Sequence, residues 1–144
     1  MRGFRRSDSP GNLLVQRVLA QAVRRGDKYA INLVIRNVAY LMLKAESLYL
    51  ADRTSEALEA INEAEALAER FEHRSVFSRL HRLRGVFLAA MGADETQIEA
   101  AFCEAIRIAK GQKSVSLEKR AEDIYAEYRR QKASGSSGVR LPLW

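Results

Sequence analysis

Few residues of this 144-residue chain stand at spacings that chemistry could use. Gly111-Gln112-Lys113-Ser114 has the ending of a phosphate-cradling loop, but the upstream glycine and the preceding strand are missing. It reads as punctuation at a helix end. His73 and His81 have no cysteine or carboxylate at ligand spacing, so no metal site is expected. Cys103 is the sole cysteine; it can form no intramolecular disulfide, and no base stands at a spacing that would activate it. The acidic pairs Glu63 with Glu65 and Glu122 with Asp123 fall on amphipathic segments and read as solvated faces. These residues predict no catalytic centre, no metal and no cofactor.

The elements around them are more informative. A bulky residue, a basic residue, a small residue and an aliphatic recur as Leu41/Lys44/Ala45/Leu48, His81/Arg84/Gly85/Leu88 and Leu117/Arg120/Ala121/Ile124. A second motif follows the first two at matching distances, Ala57/Ile61/Ala64 and Ile98/Phe102/Ala105. Self-similarity at a period of about 36 to 40 residues marks stacked helical hairpins, in which neighbours together bury what no unit buries alone. Lys44, Arg84 and Arg120 stand beside the small contact residue, so their stems can cover apolar surface while the charged heads reach water or a neighbouring glutamate. The alternative is a basic ladder that receives an acidic partner.

Helical spacing runs almost from end to end, and the only prolines are Pro10 and Pro142. The chain is therefore expected to be all-α. Residues 1–11 read as a mobile arm. A first helix fits Asn12 to Arg25, with Gly26 as its stop and Asp27 as the next N-cap. A long helix follows from Tyr29 to Ala51, then a turn capped by Thr54 or Ser55, then Glu56 to Glu72. The second hairpin runs from Ser75 to Met91 with Gly92 at its turn, and from Asp94, an acidic relative of the capping box with Gln97, to Lys110 before Gly111. A last helix, from Val115 to Lys132, lacks a hairpin partner and reads as a terminal cap. The helical domain thus spans residues 12–133. Residues 134–138 read as a flexible Ser/Gly linker and residues 139–144 as an apolar tail. Leu141, Leu143 and Trp144 are costly to leave in water, so the tail is expected to dock within the chain or across a homodimer.

The net charge of +6 suggests nucleic acid at first sight, but its distribution argues against it. Residues 1–28 carry seven basic and two acidic side chains, residues 107–144 carry nine and four, and the middle is acidic. No apolar run reaches the roughly 18 residues of a membrane span, and no signal sequence opens the chain, which predicts a soluble, cytoplasmic protein.

With both motifs placed, the chain resembles the tetratricopeptide repeat family over residues 36–132. Ala45 and Gly85 match the small residue of the first helix, the two second-helix motifs match small-aromatic-small packing, and Gly92 matches the turn glycine. It departs from the family in a period longer than 34 and in carrying Lys44, Arg84 and Arg120 where an aliphatic is usual. The resemblance implies a right-handed helical-hairpin solenoid with a terminal capping helix. It also implies a concave, partner-binding face made by Met42, Glu46, Tyr49, Arg79, Arg82, Val86, Glu122 and Tyr125. The stretches His81–Gly85, Phe102–Ala109 and Lys113–Ala121 also look like the C-terminal repeats of bacterial proteins that join an adenylate or guanylate cyclase domain to an ATPase module. That likeness implies either the terminal piece of such a signalling protein or a short stand-alone relative. The expected function is a non-enzymatic scaffold or regulatory module that binds a protein or peptide. The competing expectations are a nucleotide-binding or cyclase-associated enzyme fragment and a basic nucleic-acid binder.

Overall fold

The computed structural model describes residues 10–135 and 138–143. Among the described residues six α-helices, α1 (Pro10–Arg24), α2 (Lys28–Leu50), α3 (Thr54–Arg70), α4 (Phe77–Ala90), α5 (Glu95–Gly111) and α6 (Val115–Ala133), pack against one another, with a 3-10 turn at Arg74–Val76 before α4. No strand occurs among the described residues. Helix α2 packs along α3 and α4 along α5, as two hairpins, and α6 lies against both α4 and α5. Pro10 and Gly11, assigned by sequence to the arm, instead open α1, where a missing N–H costs nothing. Residues 1–9 of that arm lie outside the described residues, as do residues 136 and 137 of the linker and Trp144 of the tail.

Every helix ends in the same way. The second residue beyond each terminus is left-handed: Gly26, Asp52, Glu72, Gly92, Lys113 and Gly135 all have φ between 56° and 79°. In the first five, the next N–H reaches back five residues to satisfy a carbonyl of the last turn, as in Arg53 N to Leu48 O at 2.8 Å and His73 N to Ala68 O at 2.8 Å. Asp27 caps α2 as expected, accepting from Tyr29 N at 2.9 Å and Ala30 N at 3.3 Å. Three ends differ from the reading of the sequence. Gly111 is the last residue of α5 and Lys113 takes the left-handed position. Asp94 stands at the N-cap of α5 but makes no side-chain capping bond. Thr54 and Ser55 lie inside α3, whose N-cap is Arg53; its side chain makes no capping bond and pairs with Glu56 at 2.5 Å.

The repeat motif residues make the core. Ala45, Ala57, Ile61, Ala64, Phe102, Ala105, Ala121 and Ile124 are fully buried, and Ile98 nearly so. Leu41, Leu48, Leu88 and Leu117 are half-buried. On α3 the buried stripe is almost entirely alanine (Ala57, Ala60, Ala64 and Ala68), which lets the α2 backbone come close. The α4–α5 crossing is also close. A Cβ added to Gly85 would stand 2.7 Å from Cε1 of Phe102, whose ring also packs against Tyr125 and Tyr128 of α6. Ser78 Oγ donates to the Ala105 carbonyl at 2.9 Å and pins the same pair of helices.

Candidate functional site

Helices α2, α4 and α6 form the face that sequence analysis marked as partner-binding, and the chain's own C-terminal segment lies on it. After α6 the chain turns back, and Val139 and Leu141 enter the main apolar core, Leu141 only 1% exposed. Leu143 packs partly against the same core. Burial alternates over Val139, Arg140 and Leu141, the period of an extended segment, and Pro142 and Leu143 are both half-buried.

Three groups hold this segment by its backbone and its arginine. Tyr49, near the end of α2, donates its hydroxyl to the Leu141 carbonyl at 2.6 Å. Gln131, near the end of α6, pairs with both main-chain groups of Arg140: Nε2 donates to the carbonyl at 3.1 Å, and the Arg140 N–H donates to Oε1 at 3.2 Å. Gln131 Nε2 also donates to Glu127 at 2.9 Å, which sets the direction of the amide. Hydrogen bonds from Arg130 first and Gln131 second pull the Glu127 carboxyl down to about 2.

The Arg140 guanidinium occupies a seat at the C-terminus of α2. Nη1 donates to Asp52 at 3.0 Å, Nη2 donates to the Tyr49 carbonyl at 2.9 Å, and the group lies 4.0 Å from the Tyr49 ring centroid. The negative end of the helix dipole favours a cation, and an aromatic face adds to the attraction. Burial raises the Tyr49 phenol, against the pull of Arg140. A raised phenol keeps its proton, so this anchor is intact below pH 10 and is lost as the pH climbs through the raised value.

The remaining residues of the expected face do not act together. Met42 and Val86 are buried in the core beneath it. Glu46 and Arg79 pair across α2 and α4 at 2.5 Å. Arg82 is buried, and burial first, then the neighbouring Arg79 and Arg120, bring its guanidinium down to about 10 while Glu46 opposes them. Glu122 is exposed, and Tyr125 turns to α5, stacking on Phe102 and donating to Glu99 at 3.2 Å. On α6 the side that meets the segment therefore carries Glu127 and Gln131. Of the recurrent basic residues, Arg84 reaches back to Asn62 and Glu65 on α3, as the packing reading expects, and Arg120 stands near Arg82.

The opposite side has a cleft of about 570 Å³ between α3, α4 and α5, lined by Glu72, Phe77, His81, Glu104 and Arg107 among others. Burial pushes the His81 imidazole down, so it is neutral at physiological pH. Glu104 is taken up by Arg107 at 2.5 Å, and His81 Nδ1 lies 3.5 Å from Arg84, so no base here faces a nucleophile. Cys103 is exposed on α5. Among the described residues no cluster of His, Cys, Asp or Glu could hold a metal ion, and no helix is long and apolar enough to cross a membrane.

Sequence analysis missed Asp52, Gln131 and Arg140. Only Arg140 left a signal, as the polar member of the alternating Val139-Arg140-Leu141. No protein family, no curated protein and no solved structure matches the chain.

Proposed function

We propose that this chain is a non-enzymatic contact module, a tetratricopeptide-like solenoid of two hairpins and a capping helix, whose α2–α4–α6 face binds protein segments. The observation that carries this reading is the extended segment seated there, held through its backbone by Tyr49 and Gln131 and through a side chain by Asp52. Backbone pairing combined with alternate side-chain pockets is how folded domains read extended peptides. The repeated motifs and the tight Gly85–Phe102 crossing support the solenoid class. The likeness to cyclase-associated repeats makes the C-terminal part of a signalling protein our preferred setting, in the cytoplasm.

Selection of displayed random peptides on the immobilised chain, with and without residues 139–144, tests the reading. Enriched peptides that compete at this face are expected, with no stabilisation by ATP or GTP with Mg²⁺. A nucleotide that bound at a hundredth of its working concentration would stabilise the chain by about 2.7 kcal/mol. Such a shift, accompanied by turnover and by no enriched peptide, would overturn the proposal.

A further inference from the structure

We infer that residues 139–143 are a tethered competitor: the seat is a binding site for an aliphatic-Arg-aliphatic segment of a partner protein, and the chain's own tail closes it until such a segment displaces it. This inference rests on the contact-module reading and names its ligand class. The seat selects for three features. The apolar core accepts aliphatics at alternate positions, as it does Val139 and Leu141. Asp52, the Tyr49 carbonyl and the Tyr49 ring surround a guanidinium on three sides. Gln131 recognises main chain alone, so it serves any extended segment in that register.

What makes the resident segment exchangeable is how it is attached. Apart from the buried Tyr49–Leu141 bond its polar anchors lie at the surface or only partly below it, with the Arg140–Asp52 side chains 47% and 84% exposed, a kind of pair that contributes little on its own. The connection to α6 is five residues of Ser and Gly, residues 134–138. A short tether of this kind gives an effective concentration on the order of a millimolar. For a segment of about 50 μM intrinsic affinity the tail then occupies the seat roughly twenty to one, and a free competitor loses roughly twentyfold in apparent affinity. The site is closed at rest but open to a partner that binds better or is present at high local concentration.

The test uses a fluorescently labelled peptide with the tail's own sequence, Val-Arg-Leu-Pro-Leu-Trp, titrated into three forms of the protein. The full chain should bind it at least about tenfold more weakly than a chain ending at Gly138. A full-length chain with about 40 Gly/Ser residues inserted after Gly135 keeps its tail for folding while effective concentration falls some twenty- to thirtyfold, so its affinity should approach that of the truncated chain. Asp52→Asn should weaken the arginine peptide about two- to threefold and leave unchanged a peptide with Ala in place of Arg. Equal affinity for all three forms, or a folded truncated chain that ignores the peptide, overturns the inference. So does a concentration-dependent dimer that loss of residues 139–144 abolishes, since a second copy would then be supplying the segment. If the truncated chain enriches displayed peptides yet ignores this one, the contact module stands and only the tethered competitor falls.

Discussion

The two ends of the helical stack are finished differently. At the C-terminal end α6 is capped, its flank closed by Val139 and Leu141, and the covering segment is bonded to both α2 and α6. At the N-terminal end α1 and the first turns of α2 leave Leu14 (62% exposed), Val15, Val18, Tyr29 (88%) and Leu33 facing outward. A stack of amphipathic helices always has two open ends, and a chain that folds alone must cover them or tolerate the exposure. Here a short strap bridges α2 and α6 and fills the face between them.

The contrast makes the energetic weight of the structure uneven, and substitutions can measure that. The largest effect belongs to the interior: Phe102→Ala should cost about 3–5 kcal/mol in chemical denaturation, because its ring fills the space between α4, α5 and α6. Next is the sealed end, where Leu141→Ala should cost about 2 kcal/mol. A smaller loss would mean that the strap covers the end without stabilising it. Gly85→Ala should cost about 1–3 kcal/mol, since the added methyl collides with the packed Phe102 ring and one of them must shift, and an unchanged melting temperature would disprove the tight crossing. Two buried tyrosines sharpen the comparison further. Tyr49→Phe should lose about 1 kcal/mol by leaving the Leu141 carbonyl unpaired, whereas Tyr128→Phe should be neutral or stabilising, because the Tyr128 hydroxyl is buried without a hydrogen-bond partner. At the bare end Leu14→Ser should change stability by less than about 0.5 kcal/mol. A large loss there would show that the exposed face is covered in solution.

Much of the helical frame is legible from the residues, for physical reasons that also mark where legibility stops. Gly26 with Asp27, and Gly92, announce their helix ends because glycine takes a left-handed conformation without strain. Asp52, Glu72 and Lys113 take the same conformation as ordinary residues, at a cost the closing hydrogen bonds offset, and nothing in their identity signals it. That is why Gly111, two residues early, is the natural but mistaken stop. The small residues Ala45, Gly85 and Ala121 and the aromatic Phe102 reveal their packing because volume at a helix crossing has few solutions. The binding face is less readable. Docking of the tail follows from the cost of wet leucines, but its seat brings together Asp52, Gln131 and Arg140, which share no period. Tyr125 and Glu122 show the matching error: a one-turn ambiguity on α6, a helix polar on most sides, is enough to point a residue at the wrong neighbour.

The hydroxyl of Tyr49 and the carbonyl it meets are 92 residues apart in sequence. Before the hairpins have stacked, closing so long a loop for one hydrogen bond and two aliphatic side chains is entropically unrewarding. Once they have stacked, the same closure spans only the Ser/Gly connection. Local hairpins should therefore assemble first and the strap should latch last, after the rate-limiting barrier. An interaction made that late does not hasten folding. It slows the reverse reaction, so loosening the strap should shorten the lifetime of the native state while the refolding rate stays as it was.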